Sequence, residues 1–192
     1  QSLRPYIACA AIRGVTLGED RLKIVMKMQE NLHWALGRNR KHASIGVYDL
    51  DRLGLEGGAG AGGGARPAAG PSAPEAARIE YTTEDPGRCA FVPLGAAAHG
   101  PEHRRTLRRT LEEHPKGAAY AHLLQGFDRY PILRTTAGVV LSMPPIINSE
   151  DTKVHPGSRN LFIDVTGSGR RIVQRTLNIL ATSILELDPE AR

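Results

Sequence analysis

Apolar and polar positions along this chain follow two periods, and the switches between them mark the elements. Pro5 to Ile12 is a short, proline-bounded apolar run that predicts a buried strand. Leu22, Val25, Met26, Gln29, Leu32, His33 and Leu36 then recur at helical spacing, so this stretch predicts a helix with that stripe against a core. The capping-box pattern Thr16-x-x-Glu19 should open the helix and Gly37 should close it. Ala43 to Tyr48 predicts a second strand, and Arg78 to Thr82 and Cys89 to Pro93 predict two short ones. Glu102 to Glu113, polar and basic, reads as a surface helix. Lys116 to Gln125 reads as a second, with Tyr120, Leu123 and Leu124 on one side. Tyr130 to Leu133, Gly138 to Met143 and Asn160 to Thr166 are strand-like. Arg170 to Leu187 closes the chain as an amphipathic helix with Ile172, Val173, Leu177, Leu180, Ile184 and Leu187 inward. Strands outnumber helices without alternating with them, which predicts an α+β fold: a mixed, largely antiparallel sheet flanked by helices, in a single domain over residues 1–192.

Composition changes this picture in three places. With 192 residues and 41% apolar, the chain can bury a core, which excludes wholesale disorder. Residues 54–77, almost entirely Gly, Ala and Pro, cannot offset their ordering entropy and read as a flexible surface insertion. The net charge of +5 rests on 20 Arg and only 5 Lys. Arg suits planar contacts to phosphate, yet GC-rich coding bias raises Arg together with Ala, Gly and Pro, so a nucleic-acid partner is permitted without being required. Cys9 and Cys89 carry no paired spacing, so neither a zinc ribbon nor a disulfide framework is expected, and a reducing compartment, the cytoplasm, is the default. No apolar run approaches the length of a membrane span, and the opening residues carry no leader-like segment. The sequence starts without a methionine and enters a strand-like segment almost at once, which reads as a domain cut from a longer protein.

Several motifs fail inspection. Gly167-Ser168-Gly169 lies between a strand and a helix, but Ile172 breaks the dinucleotide fingerprint. A tight turn, or a helix N-terminus able to receive an anion, is what remains. No phosphate loop, Gly-x-Ser-x-Gly elbow or metal-ligand spacing occurs, and His99 and His103, four apart, lack further ligands. His33, on the helical stripe, fits a satisfied core residue better than a base.

Two segments hold more promise. In Asn160 to Thr166, strand alternation turns Leu161, Ile163 and Val165 one way and Asn160, Phe162, Asp164 and Thr166 the other. A carboxylate beside an aromatic ring is either a solvated edge or the wall of a mixed pocket. In Gly138 to Asn148, Ser142 nears the end of a strand that runs into Pro144-Pro145, a pre-shaped bend, with the amide of Asn148 beyond it. That is a rigid strand end or a binding loop.

Arg4-Pro5-Tyr6-Ile7, Gly37-Arg38-Asn39-Arg40-Lys41, Asp49-Leu50-Asp51, Met143 to Asn148 and Asn160 to Gly167, in this order, closely resemble the editing domain of the phenylalanyl-tRNA synthetase β subunit of the archaeal and eukaryotic type. The resemblance covers nearly the whole chain outside the Gly/Ala/Pro insertion and the loop around Ala96 to Arg105. It implies an α+β domain of an α2β2 ligase whose α subunit charges tRNA(Phe) with ATP and magnesium. This domain itself needs no cofactor or metal and hydrolyses tyrosine wrongly esterified to the tRNA. No synthetase signature or ATP site occurs here, so ligation is not expected of this chain. A second site that demands the tyrosine hydroxyl supplies the discrimination that a phenylalanine pocket lacks.

By the same resemblance, Asp164 is the acceptor for that hydroxyl, Thr166 and Ser142 line the site, and Leu133 is an apolar wall. Phe162, Pro144 and Asn148 are added as substrate contacts, and Arg38, Arg40 and Lys41 as tRNA contacts or plain solvated charge. Nothing resembles a nucleophile–base pair, so the expected chemistry is attack by an oriented water, with the tRNA ribose as a candidate assistant. Tyr48 departs from the pattern, because relatives often carry histidine before Asp-Leu-Asp. A non-catalytic tRNA- or protein-binding module of the same fold is the rival expectation, and a free-standing editing factor a third.

Overall fold

A computed structural model describes residues 3–55, 77–96 and 101–192. Most of the predicted 54–77 insertion, and His99, lie outside the described residues. Nine strands and four helices follow in the order β1 (Tyr6–Arg13), α1 (Gly18–Ala35), β2 (Ala43–Asp49), β3 (Ile79–Glu84), β4 (Ala90–Phe91), β5 (Arg105–Thr106), α2 (Leu107–Glu113), α3 (Pro115–Tyr120), β6 (Tyr130–Thr135), β7 (Val140–Met143), β8 (Ile147–Asn148), β9 (Asn160–Gly167) and α4 (Arg170–Leu187) among the described residues. The class is α+β, as expected. The strands divide into a three-stranded sheet (β1-β9-β2), a four-stranded sheet (β3-β6-β7-β8) and a two-stranded β4-β5 pair, and the strand pairings described are antiparallel.

The alternation along β9 decides the layering. Leu161, Ile163 and Val165 pack with Ile45 and Val47 of β2, Val25 of α1 and Val173, Leu177, Leu180 and Ile184 of α4, so one face of the first sheet is sealed by the two long helices. Its other face meets the second sheet through Tyr48, Phe162, Leu133 and Leu141. Ile132, one step along β6 from Leu133, belongs to a separate cluster with Leu107, Leu124, Phe91 and Met143 that backs the second sheet. Asp164, Phe162 and Thr166 are thus on a buried inter-sheet face rather than a solvated edge, because β9 is the central strand and a second sheet covers it.

Some local expectations need correction. The start of α1 is not a capping box: its N-cap is Leu17 with no side-chain cap, while Thr16 donates its N–H to Asp188 Oδ2 at 2.5 Å. Glu19 and Asp20 supply the negative charge that suits the first turn instead. The predicted helix from Glu102 begins only at Leu107, because Arg105 and Thr106 pair with Phe91 and Ala90 and Thr106 then caps α2 by accepting from Arg109 N at 3.2 Å. The predicted Lys116–Gln125 helix is shorter, ending at Tyr120 and passing into a 3-10 turn over Ala121–Leu123. α4 has the predicted bounds. At Gly167 a Cβ would lie 2.3 Å from the His42 carbonyl oxygen and 2.7 Å from Val173, so the glycine before α4 serves close packing of strand, loop and helix. His33 is a core residue, but only one ring nitrogen is satisfied: Nε2 accepts the Ile45 N–H at 2.8 Å, while Nδ1 has no hydrogen-bond partner and stands 3.6 Å from Glu30 Oε1. Burial pushes its pKa down.

Candidate functional site

Register assembles the site from two facing rows. Across the first sheet, Cys9, Asp164 and Gly46 stand side by side. Across the second, Tyr81, Leu133, Ser142 and Asn148 do the same, with an irregularity between Leu133 and Arg134 that skips Leu141 and lets it join the cluster around Tyr48. Between the rows lies a cavity that opens to solvent, lined by Arg40, Ser44, Ile45, Gly46, Tyr48, Ser142, Pro144, Pro145, Ile147, Asn148 and Asp164.

Asp164 is 2% exposed. Tyr48 donates its phenol to Asp164 Oδ1 at 2.5 Å, and its oxygen is 2.8 Å from Ser142 Oγ. The glycine opposite makes this possible, since a Cβ on Gly46 would fall 1.9 Å from the Tyr48 oxygen and 2.3 Å from Asp164 Oδ1. Burial drives the Asp164 carboxyl up to about 6, against the opposing pull of the Tyr48 hydrogen bond and the Arg4 charge. The carboxylate is therefore mostly ionised at neutral pH, while the Tyr48 phenol, raised well above its ordinary value by burial and then by Asp164, stays protonated.

A stability signature follows. Between pH 4 and 6 the folded chain holds a proton that the unfolded chain has released, so stability falls as pH rises through this window and levels off above it. The fall attributable to Asp164 is about 3 kcal/mol. Urea unfolding of Asp164→Asn alongside wild type, from pH 4 to pH 7, should show the wild-type curve dropping relative to the variant by that amount. Parallel curves would contradict the assignment.

Thr166 is not on the cavity wall. It is fully buried, its hydroxyl accepting from Arg4 Nε at 3.1 Å and lying 3.1 Å from the hydroxyl of Ser44, which does line the cavity. Leu133 and Phe162 also stand behind the wall, packed on Tyr48; the Tyr48 and Phe162 ring centroids are 6.0 Å apart. Ser142, Pro144, Asn148 and Asp164 border the cavity directly. Of the three cations expected to meet tRNA, Arg38 and Lys41 are exposed, but Arg40 is 5% exposed and turned inward. It donates to the Ile146 carbonyl at 2.9 Å and to Glu30 Oε1 at 3.0 Å, and its guanidinium lies 4.6 Å from the Tyr120 ring centre. Arg40 braces the Pro144-Pro145-Ile146 turn, and the segment that carries it holds Arg38, Asn39 and Arg40 at positive φ (46°, 54° and 67°).

Asp49 and Asp51 also serve the framework. Asp49 accepts from Asp51 N at 3.0 Å and Ser158 Oγ at 2.7 Å, and Asp51 accepts from Asn160 at 2.8 Å. Sequence reasoning missed Ser44, Gly46 and the inward role of Arg4. A glycine two positions before a tyrosine on one strand face was the available signal for Gly46. Among the described residues, no cluster of His, Cys, Asp or Glu could hold a metal ion, and no helix is long and apolar enough to cross a membrane.

No family model matches the chain. It is 39% identical over 186 residues to the phenylalanine–tRNA ligase β subunit of Methanothrix thermoacetophila, a match covering 97% of this chain and 29% of the relative. The β subunit of Methanosphaera stadtmanae is 38% identical, with 97% and 28% covered. The crystal structure of an N-terminal fragment of the phenylalanyl-tRNA synthetase β subunit from Pyrococcus horikoshii superposes with a TM-score of 0.78 at 34% identity, covering 96% of this chain and 45% of that one. The chain spans about three-tenths of the length of the curated relatives it matches. Over nearly its whole length, in sequence and in fold, the chain is homologous to a segment of the phenylalanine–tRNA ligase β subunit.

Proposed function

We propose that this chain is the editing domain of a phenylalanine–tRNA ligase β subunit, hydrolysing the ester of tyrosine mischarged onto tRNA(Phe). The observation that carries the reading is a buried carboxylate, Asp164, on the wall of a cavity it shares with Ser142 and Asn148. A carboxylate accepts a phenol hydroxyl strongly and offers nothing to the bare ring of phenylalanine. In this reading Asp164, with Ser142 beside it, selects the hydroxyl, while Asn148 orients the ester and its attacking water against the Pro144 wall. Thr166 acts as a positioning residue through Ser44. Water adds its oxygen to the ester carbonyl carbon, the bond to the ribose oxygen breaks, and that oxygen leaves with a water proton. Positioning and polar stabilisation supply the rate. The partners are then tRNA(Phe), met in part by Arg38 and Lys41, and the α subunit of the parent ligase, which supplies the ATP and magnesium chemistry elsewhere.

Release of tyrosine from preformed Tyr-tRNA(Phe) by the assembled ligase tests this. Asp164→Ala should lower the rate by at least about tenfold, the value of a hydrogen bond to a charged group. Equal release by wild type and variant removes Asp164 from the mechanism. The hydrogen bond from Tyr48 to Asp164 favours one other reading, a binding module of the same fold without hydrolysis, and no release above a no-enzyme control by wild type would select it.

A further inference from the structure

The carboxylate that would select a substrate hydroxyl already holds one. Tyr48 Oη is seated on Asp164 Oδ1 at 2.5 Å, in the open volume over Gly46, and beside Ser142 Oγ at 2.8 Å. The ring behind it is 1% exposed and packed among Leu53, Leu133, Leu141 and Phe162, so the phenol does not sit there as a loosely held surface group. The carboxylate also borders the cavity, so an incoming phenol would meet an acceptor partly satisfied and a neighbouring volume occupied by another phenol oxygen. We propose that Tyr48 is a specificity-determining residue that competes, from within the fold, for the acceptor Asp164, and so holds the site's preference for tyrosine over phenylalanine below what the carboxylate alone would give. This rests on the reading of Asp164 as the hydroxyl acceptor and adds the residue that tunes it.

Two features make the idea specific. Deleting only the Tyr48 oxygen leaves the ring and its packing in place, so Tyr48→Phe is close to isosteric. It also returns two things at one point, a free lone pair on Asp164 and a void the size of one oxygen between Asp164 and Ser142. That void fits the one atom by which tyrosine exceeds phenylalanine. A role for Tyr48 in merely orienting Asp164 predicts the opposite sign, because losing the orienting hydrogen bond would weaken recognition of the ligand hydroxyl.

The test is the ratio of affinities for L-tyrosine and L-phenylalanine, measured by calorimetry at pH 8 on the 192-residue chain as wild type, Tyr48→Phe and Tyr48→Phe/Asp164→Asn. Tyr48→Phe should raise the tyrosine-to-phenylalanine ratio by about tenfold, and the added Asp164→Asn change should abolish the gain. A general loosening of the fold would move both affinities together and leave the ratio unchanged. An unchanged or smaller ratio in Tyr48→Phe, or no binding of either amino acid by any variant, overturns the proposal. Deacylation of Tyr-tRNA(Phe) by the assembled ligase separates the two ideas. A raised ratio with no deacylation keeps the competitor and discards editing. Asp164-dependent deacylation with an unchanged ratio keeps editing and discards the competitor.

Discussion

Arg4→Met should cost about 5 kcal/mol of folding stability, read as a large drop in the urea midpoint at pH 7. Arg4 lies just before β1 and is 5% exposed. Its guanidinium donates to Thr166 Oγ1 at 3.1 Å, to the Arg40 carbonyl at 3.1 Å, to Ser44 Oγ at 3.1 Å and to the Thr166 carbonyl. One planar fork thus ties the N-terminal segment to β9, to β2 and to the turn before it. That turn needs a tie, because three consecutive non-glycine residues at positive φ cost about 1 kcal/mol or more each. Burial lowers the Arg4 pKa to about 10, still far above neutrality, so the group stays charged and its field partly offsets the charge of Asp164. Methionine keeps the bulk but strands several buried carbonyls and leaves Asp164 less compensated, which raises the carboxyl further above its ordinary value. Arg4→Lys should recover less than half the loss, since one ammonium cannot span the fork. A loss under about 1 kcal/mol for Arg4→Met would show that the turn is held by other contacts.

The elements read best from sequence were those whose period is set by one continuous core. α4 was legible to the residue because its stripe faces a single cluster. β9 was legible in its alternation, yet whether Asp164 faced solvent or a pocket was not, because the covering sheet is built from residues 79–148 and contributes nothing to the local pattern. The short helices were misplaced where strand pairing claimed Arg105 and Thr106, a tertiary contact stronger than local propensity. Within the candidate site, Ser142, Pro144 and Asn148 stand out in the sequence as a polar and rigid strand end, whereas the role of Asp164 rests on the family resemblance. Arg40 was misread as a surface cation because a charged run looks solvated until its backbone handedness turns one member inward. The contact between Tyr48 and Asp164 depends on the β2–β9 register, which no local pattern encodes.

Gly46→Ala should be the most damaging single methyl in the site, costing about 4 kcal/mol. The new Cβ would stand 1.9 Å from the Tyr48 oxygen, 2.3 Å from Tyr48 Cζ and 2.3 Å from Asp164 Oδ1, all far inside contact distance. The carboxylate belongs to the central strand and the ring to a packed cluster, so neither can retreat without breaking the hydrogen bond between them. The cost then has two parts. One is overpacking of about 1–3 kcal/mol; the other is a buried carboxylate stripped of its phenol donor, a charge-assisted bond of about 1.5–3 kcal/mol. Because the Tyr48 bond lowers the Asp164 pKa, its loss should also carry the carboxyl above its present value of about 6, with the change visible in a carboxyl-resolved NMR titration. Adding Tyr48→Phe removes one of the three clashes and the hydrogen bond at issue, so Gly46→Ala should be measurably less costly in that background. The double-mutant cycle between positions 46 and 48 should return a coupling of about 1 kcal/mol or more. Strict additivity would mean that the phenol and the glycine do not share the space over β2, and would remove the geometric basis for a resident phenol on Asp164.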